Sequence, residues 1–207
     1  MCGRFYLDEE MNREIKEILA GIEENRRHGY PIPRGEIYPS TPIPVLLWEN
    51  GGRRVELFCW GFPTPYSKSL VINARSETAL EKPMFREDVR CRRCLIVANG
   101  FYEWDRKKKD KVKYYFTSRD GAPVYMAGLY HMCEDGQHTA ILTTEANASM
   151  EPVHNRMPVI LQGEELEAWL KDSKEAIRLL ERIPPLLERC PADPKPVYEQ
   201  LELDLGL

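Results

Sequence analysis

The second residue of the chain, Cys2, occupies the most unusual chemical position in the sequence. Removal of the initiator Met1, expected ahead of a small residue, would leave an α-amine and a thiol on one N-terminal residue. Their reference pKa values are about 7.7–8.0 and about 8.5, so part of each group is reactive near neutral pH. Such an aminothiol condenses with an aldehyde to an imine, and the thiol then closes a five-membered thiazolidine. Taken alone, Cys2 is also compatible with a structural role.

A second candidate cluster follows an apolar run and contains Asn73 and Arg75. Two residues apart on a strand, their side chains would point the same way. The Asn amide can position a backbone group or an amine through its donor and acceptor, and the Arg fork can bind a phosphate. The structural alternative is a strand end with a turn-forming Asn and a surface ion pair between Arg75 and Glu77.

A third cluster surrounds Glu103, which has aromatic residues on both sides in the segment 99–104. A carboxylate among aromatic rings is poorly solvated and is able to exchange a proton near neutral pH, which is the behaviour of a general acid/base. The alternative is an exposed Glu on a strand whose other face buries the aromatic residues.

The fourth cluster contains His154, a side chain suited to proton transfer at neutral pH, and Arg156, placed to bind a phosphate. A structural histidine before a proline-bounded strand is the alternative. Cys91 and Cys94 form a lone C-x2-C without a second pair, so no zinc site is expected. The sequence also lacks a phosphate loop and a G-x-S-x-G motif, and we expect neither a metal nor a cofactor.

The elements that must position these residues follow from periodicity and turn signals. Apolar residues at helical spacing predict a helix over 8–27, which Asp8 caps. Two apolar runs, 45–48 and 55–60, flank Asn50-Gly51-Gly52 and predict a hairpin. Further strands are expected at 70–73, 95–99, 113–117, 124–129, 139–143 and 157–161, and helices at 163–171 and 173–182.

This order predicts one α+β domain over 1–207, with a curled, partly closed antiparallel sheet or barrel flanked by helices and a helical, acidic tail at 171–207. A chain of 207 residues that is 43% hydrophobic and 30% charged can bury a core. Its apolar runs are too short to span a membrane, and its first residues do not resemble a signal peptide. We therefore expect a cytoplasmic protein with reduced cysteines.

The net charge of −4, taken as an average, argues against nucleic acid binding, but the charge is unevenly distributed. Residues 86–113 carry ten Lys or Arg against five Asp or Glu, whereas 164–207 carry six against eleven. Phosphate contacts depend on the local potential, so a basic face on an acidic protein can still bind DNA.

The chain carries, in order, the blocks Met1-Cys2-Gly3-Arg4-Phe5, Trp60-Gly61, Asn73-Ala74-Arg75-Ser76-Glu77-Thr78, Arg93-Cys94-Leu95-Ile96-Val97, Gly100-Phe101-Tyr102-Glu103-Trp104, Ala127-Gly128-Leu129 and His154-Asn155-Arg156-Met157-Pro158-Val159-Ile160-Leu161. This series resembles the SRAP family, named for SOS response-associated peptidase and comprising abasic-site processing proteins. The match extends over residues 2–170. The resemblance implies an α+β domain that shields abasic sites in single-stranded DNA by covalent capture during the DNA damage response.

The resemblance also implies a role for each candidate residue. Cys2 matches the nucleophile that forms a reversible thiazolidine with C1′ of the ring-opened abasic deoxyribose. Asn73 matches the residue that holds the N-terminal cysteine, and Glu103 matches the acid/base. His154 matches the residue that stabilises the open sugar and helps to reverse the crosslink.

A further set of residues matches the DNA-binding face of the family. The set comprises Arg4, Arg75, Arg156, Tyr66, Pro39, Trp60 and Met157. The chain has Tyr66 where many members have Trp, and Asn99 where Asp is common. An aromatic ring of either type can stack on a base, so altered affinity is expected rather than lost function.

Three functions remain open on the sequence. The first is a lyase-like, suicidal and reversible crosslinker of abasic DNA, a monomer that associates with the nucleoid when bound to damaged DNA. The second is a cysteine peptidase, a hydrolase whose only substrate need be its own Met1, with Cys2 activated by His154 or Glu103. The third is a noncovalent single-stranded DNA-binding module.

Overall fold

The computed structural model describes residues 2–22, 31–64, 67–105 and 112–192. Its strands and helices are, in chain order, β1 (Phe5–Leu7), a 3-10 turn (Glu9–Met11), α1 (Arg13–Ala20), β2 (Gly35–Ile37), β3 (Pro42–Glu49), β4 (Gly52–Trp60), β5 (Phe62–Thr64), β6 (Ser67–Val71), β7 (Asn73–Arg75), α2 (Ser76–Ala79), α3 (Arg86–Cys91), β8 (Arg93–Ala98), β9 (Gly100–Trp104), β10 (Lys113–Ser118), β11 (Val124–Cys133), β12 (Gly136–Glu145), β13 (Arg156–Pro158), β14 (Ile160–Leu161), α4 (Glu165–Lys171), α5 (Ser173–Leu179) and β15 (Leu187–Pro191).

Five of these strands close into a barrel. Strand β3 pairs with β4 and β8, β8 pairs with β11, and β11 pairs with β12, all antiparallel. A parallel pairing of β12 with β4 completes the ring. The expectation of an α+β fold with a closed sheet is confirmed, but the barrel is mixed rather than antiparallel. Closure pairs the strand edges that an open sheet would expose.

The β3–β4 hairpin forms where the Asn-Gly signal predicts it. Asn50 and Gly51 have positive φ angles of 51° and 80°, and Glu49 pairs with Gly52 across the turn. The two central residues therefore adopt the left-handed backbone that a two-residue hairpin turn requires. This turn sets the register of β4, which ends at the buried Trp60.

A second sheet has the strand order β15-β10-β9-β1-β2 and carries the N-terminal segment. Strand β1 pairs with β9 through Phe5 and Phe101. Gly100 permits a close approach of β9 to β10, because a Cβ atom there would lie 2.4 Å from the carbonyl oxygen of Phe116. The rings of Phe5 and Trp60, 5.2 Å apart, pack this sheet against the barrel.

The helix predicted over 8–27 begins later in the structure, at Arg13. Asp8 caps only the 3-10 turn, and Asn12, in an extended conformation, accepts hydrogen bonds from the backbone of Glu14 and Ile15 and caps α1. An extended residue between the two turns ends one helix before the next begins. Residues 23–27 of the prediction lie outside the described residues.

Two helices near the C-terminal end pack on the barrel. The indole nitrogen of Trp169 in α4 donates to the carbonyl of Cys94 at 2.8 Å. Helix α5 ends at Leu179, three residues before the predicted end. Residues 187–191, predicted as part of a helical tail, instead form the strand β15, which pairs with β10 along its whole length, and residues 193–207 of that tail lie outside the described residues.

All six cysteines lie in the described ranges as free thiols. None of the helices in those ranges combines the length and the apolar character that a bilayer crossing requires.

Candidate active site

Cys2 lies just before β1 with its side chain only 1% exposed. Its thiol is 3.9 Å from the carbonyl oxygen of Arg4, to which it donates a weak hydrogen bond. Burial, reinforced by the negative charge of Glu103, raises the pKa of the Cys2 thiol to about 12. At neutral pH the sulfur is therefore protonated, and its reaction as a nucleophile requires a group that removes the proton.

Asn73 holds the main chain of Cys2 from the barrel side. Its side-chain nitrogen donates a hydrogen bond of 2.9 Å to the carbonyl oxygen of Cys2. Strand β7 is fixed by parallel pairing with β12, in which Asn73 lies opposite Ile141. The other amide atom, Oδ1, is buried and has no hydrogen-bond partner within the described residues. Asn73 thus presents a vacant acceptor next to the backbone of Cys2.

Glu103 reaches the same place from β9. Its side chain is 2% exposed, and its Oε1 accepts a hydrogen bond of 3.3 Å from the backbone nitrogen of Trp104. The backbone of β9 runs antiparallel to the N-terminal segment, with the nitrogen of Tyr102 donating to the carbonyl of Arg4 at 2.9 Å. This pairing brings Glu103 beside Cys2, close enough for its charge to act on the thiol. The poor solvation expected for Glu103 is confirmed.

His154 lies just before β13, half-buried at the edge of a cavity of about 540 Å³. Its Nδ1 accepts a hydrogen bond of 2.9 Å from the backbone nitrogen of Arg156. A neutral His154 therefore carries its proton on Nε2. Arg75, Glu151 and Arg156 line the same cavity. Strand β12 explains this grouping, because it pairs with β7 on one side and β13 on the other.

The three predicted DNA-binding arginines differ in their partners. Arg156 forms a two-point contact with Glu77, at 2.6 and 2.9 Å, and also donates to the carbonyl of Thr143 at 2.6 Å. Arg4 lies 3.4 Å from Glu36. Arg75 is exposed and has no carboxylate partner among the described residues. Arg75 is thus the arginine best placed to meet a phosphate without first breaking an ion pair.

The ion pair between Arg156 and Glu77 also acts on the pKa of the carboxylate. Burial acts to raise the pKa of Glu77, but the hydrogen bonds and charge of Arg156 more than offset it and hold that pKa below its ordinary value. Glu77 therefore stays ionised and neutralises Arg156. The sequence suggested Arg75 as the partner of Glu77, and the structure replaces it with Arg156.

Two members of the predicted DNA-binding set are core residues. Trp60 is fully buried, and its indole nitrogen donates to the carbonyl of Ile72 at 3.1 Å. Met157 is also fully buried, and its sulfur accepts from the backbone nitrogen of Asn147. A side chain without exposed surface cannot contact DNA directly, so the prediction of contact is wrong for these two. Trp60 bonds to Ile72, the residue directly before β7, and Met157 is the central residue of β13.

The remaining two members of the set stay predictions. Pro39 is half-buried beside Ser40, whose φ of 70° is left-handed. Tyr66 lies outside the described residues.

Sequence reasoning missed an aromatic and acidic cluster around Arg4. The guanidinium of Arg4 lies over the rings of Tyr38, at 4.1 Å, and Trp104, at 5.1 Å. Glu36 accepts hydrogen bonds from Tyr38 and Lys113. In the sequence, Tyr38 next to Pro39 is the signal that could have pointed to this cluster.

Comparison with known proteins identifies the family of the chain. A family model described as SOS response associated peptidase (SRAP) matches residues 1–197. The chain is 34% identical over 181 residues to the abasic site processing protein YoqW of Bacillus subtilis, covering 82% of this chain and 80% of that protein. It is 26% identical over 177 residues to the abasic site processing protein YedK of Escherichia coli, covering 83% and 80%.

Solved structures share the fold. A crystal structure of a protein from Bordetella bronchiseptica superposes with a TM-score of 0.74 at 23% identity, covering 93% of this chain and 100% of that one. A protein from Bacteroides thetaiotaomicron gives a TM-score of 0.68 at 24% identity, covering 91% and 90%. The family match extends over nearly the whole chain, and the chain belongs to the SOS response associated peptidase (SRAP) family.

Proposed function

We propose that this protein captures ring-opened abasic sites in single-stranded DNA as a reversible thiazolidine on Cys2, once Met1 has been removed. The observation that carries the proposal is the hydrogen bond of 2.9 Å from Asn73 to the carbonyl of Cys2, with the buried Glu103 beside the thiol. Relatives named abasic site processing proteins support the choice of substrate. An abasic site supplies the aldehyde that an aminothiol needs.

The reaction begins with the α-amine of Cys2. It attacks C1′ of the open sugar, and the resulting carbinolamine loses water to give an iminium ion. Asn73 assists in two ways: its donor already fixes the Cys2 carbonyl, and its vacant, buried Oδ1 can accept an N–H of the amine. Holding the amine in one orientation removes much of the entropic cost of the attack.

Glu103 carries out the proton transfers that accompany the attack of the amine, the loss of water and the attack of sulfur. The Glu103 carboxylate first takes a proton from the α-ammonium group of Cys2, which frees the amine for its attack, and as the carboxylic acid it then protonates the departing hydroxyl, which leaves as water. As the carboxylate again, it takes the thiol proton while sulfur adds to C1′. The thiol needs this base because its pKa lies at about 12. Release of that proton to solvent restores the carboxylate, and the products are the thiazolidine, one water molecule and the proton of the original ammonium group.

The cavity beside His154 is where we place the DNA on either side of the lesion. Arg75 faces it as an exposed cation and would bind a phosphate. The Nε2–H of a neutral His154 would donate to the open sugar, and the same group would return a proton when the crosslink reverses.

The peptidase alternative is less well supported. A cysteine peptidase needs a thiolate formed by a neighbouring base, and thiolates occur at sites that lower the thiol pKa. Here burial raises the thiol pKa, and within the described residues the thiol donates to the carbonyl of Arg4 instead of pairing with His154, so Glu103 is the one base beside it that a peptidase could share with the proposed capture. Removal of Met1 is the one proteolytic step that the proposal requires.

Intact mass spectrometry tests the proposal directly. The protein alone should lack Met1, and incubation with a single-stranded abasic oligonucleotide should add the mass of the oligonucleotide minus one water. Cys2→Ser keeps the amine but has a poorer nucleophile, so it should give an imine that persists only after borohydride reduction. Cys190→Ser alters an exposed cysteine and should behave as wild type. A processed wild-type protein that forms no adduct would overturn the proposal.

A further inference from the structure

A cluster of metal-binding side chains lies at the tip of the β11–β12 hairpin, away from Cys2. Cys133 ends β11, Asp135 lies in the turn, and His138 is the third residue of β12. One donor atom from each lies within 4.8 Å of the others. Thr143, which contacts Arg156, is five residues further along β12, or about 17 Å at 3.4 Å per residue. The hairpin tip is thus a separate site from the cavity at His154.

The imidazole of His138 is held in the orientation that metal-binding histidines adopt. It is buried, and its Nδ1 donates to the carbonyl oxygen of Gly61 at 2.6 Å. This bond leaves the lone pair of Nε2 directed at Asp135, whose carboxylate oxygen is 2.9 Å away. Two acceptors at this distance need a positive centre between them, either a proton or a metal ion. A ring fixed through its other nitrogen by a backbone carbonyl is the usual support of a metal ligand.

A second thiol, that of Cys59, lies beside the cluster. Strand β4 pairs in parallel with β12 so that Cys59 is opposite His138. Cys59, Asp135 and His138 line one cavity of about 660 Å³. The carboxylate of Asp135 lies within electrostatic range of the thiols of both Cys59 and Cys133. One sulfur, one imidazole nitrogen and one carboxylate oxygen therefore converge on a single place in the fold, and the second sulfur lies nearby, where the Cys59 thiol donates to the carbonyl of Ser40 at 3.6 Å.

This donor set selects among metals. Thiolate and imidazole together favour Zn²⁺, which binds sulfur at about 2.3 Å and nitrogen or oxygen at about 2.0–2.2 Å in a tetrahedron. Those bond lengths place the ligand atoms roughly 3.3–3.8 Å apart. The observed separations among the donor atoms of Cys133, Asp135 and His138, from 2.9 Å up to at most 4.8 Å, bracket that range, so small rotations of these three side chains suffice.

We propose that Cys133, Asp135 and His138 bind a zinc ion. Cys59, on the neighbouring strand, would become the fourth ligand on leaving the carbonyl of Ser40. The ion would join β4 to β12 at the parallel seam that closes the barrel, and would fix Gly61, where the chain leaves β4 toward β5. Its role is structural, and it takes no part in the capture of DNA. The sequence signal is C-x-D-x2-H across a hairpin turn, a spacing that differs from the paired C-x2-C motifs of common zinc sites.

The test uses the full chain carrying Cys2→Ala, because an N-terminal aminothiol can itself bind metals. After treatment with a chelator, the protein is titrated with Zn²⁺ against a competing chelator, and with Co²⁺ to observe thiolate-to-metal charge-transfer absorption. We expect one equivalent of either metal and a higher melting temperature with Zn²⁺. Adding Cys133→Ser or Asp135→Asn should weaken binding at least tenfold. Cys91→Ser, at an exposed cysteine, should leave it unchanged.

Two results would overturn the proposal. One is a Cys2→Ala protein that binds neither metal in this titration. The other is binding that Asp135→Asn and Cys133→Ser leave unaltered. Asp135 has a side chain that is 70% exposed, so its substitution leaves the core intact and the comparison holds even where a cysteine variant folds poorly.

Discussion

The side-chain amide of Asn73 donates a hydrogen bond of 2.9 Å to the backbone carbonyl of Cys2 and so joins residues 71 positions apart. Asn73 is the first residue of β7, which is anchored to the barrel through β12. Cys2 precedes β1, which belongs to the second sheet. The bond therefore holds the N-terminal residue of the smaller sheet against the barrel.

Asn73→Ala should slow crosslinking without unfolding the protein. Loss of a hydrogen bond that orients a reacting group costs about 1–2 kcal/mol, or roughly a tenfold lower rate. The measurement is the rate at which a denaturation-resistant adduct forms on single-stranded abasic DNA. Asn12→Ala is the matched control, because the Asn12 side chain bonds to the backbone of α1 and to the carbonyl of Gly121, and its loss should lower stability without touching Cys2. Equal rates for both variants would remove Asn73 from the mechanism.

Glu103→Gln should have two effects of opposite sign. It removes the base that accepts the thiol proton, so crosslinking should slow by at least tenfold. It also removes a negative charge that raises the pKa of the Cys2 thiol, so that pKa should fall below about 12. Adduct formation and the thiolate ultraviolet absorbance as a function of pH, corrected with Cys2→Ser, measure the two effects. A lower pKa together with faster crosslinking would argue against Glu103 as the base.

The sequence predicts the barrel strands and the closing of the sheet, but not the parallel pairing that closes it. Alternation and the Asn50-Gly51 turn are local signals, and the β3–β4 hairpin forms as they indicate. The parallel pairing of Cys59 with His138 joins residues 79 positions apart, and no local pattern encodes it. The burial of Trp60 is not predicted for the same reason, because its ring packs against Phe5, which belongs to the other sheet. Non-local packing decides which aromatic residues face solvent.

The candidate site was recognised in the sequence through family resemblance, because the chemistry of its parts is weak when taken separately. Only the fold places Asn73 and Glu103 on either side of Cys2. The sequence does not predict that Arg4 and Arg156 are already paired with carboxylates. Glu77 belongs to the same block as Arg75 but pairs with Arg156, since β12 lies between β7 and β13.

Arg75→Ala should weaken noncovalent binding to single-stranded DNA and make it less dependent on salt. One lost phosphate contact on a single strand reduces the slope of log K against log salt by about 0.7. Glu77→Gln should have the reverse effect, because it frees Arg156 to contact a phosphate. Binding of intact oligonucleotides across a salt series measures both. Arg178→Ala, on the exposed face of α5, is the control that should match wild type. If Glu77→Gln weakens binding, Arg156 is a positioning residue.

Substitution of Trp60 should separate stability from DNA binding. Trp60→Ala removes a fully buried ring and should lower the free energy of unfolding by about 3–5 kcal/mol. Trp60→Phe keeps most of the packing on Phe5 and loses the hydrogen bond to Ile72, at a cost of about 1–3 kcal/mol. Denaturant unfolding measures these costs. The affinity of folded Trp60→Phe for DNA should stay within about twofold of wild type, and a large loss would mean that the indole reaches DNA.

Stability should fall in alkaline solution because two thiols are buried in their neutral form. Burial raises the pKa of Cys94 to about 12, with a smaller opposing effect from Thr139, and Cys2 is raised to a similar value. A pKa that is higher in the folded state than in the unfolded chain gives stability that is complete below the unfolded pKa, about 9, and is lost as pH rises toward 12.

Cys94→Ala removes one of these two groups. Between about pH 9 and 11 the free energy of unfolding of the wild-type protein should decline with pH, and the variant should decline less steeply, by at most about 1.4 kcal/mol per pH unit. Below pH 8 the variant should be less stable by about 1 kcal/mol, because a small cavity replaces the sulfur. Urea unfolding under reducing conditions at several pH values measures both differences. Cys190→Ala, at an exposed cysteine, controls for thiol chemistry as such. Parallel alkaline slopes for wild type and Cys94→Ala would mean that Cys94 gains its charge with no cost to the fold, contrary to its complete burial.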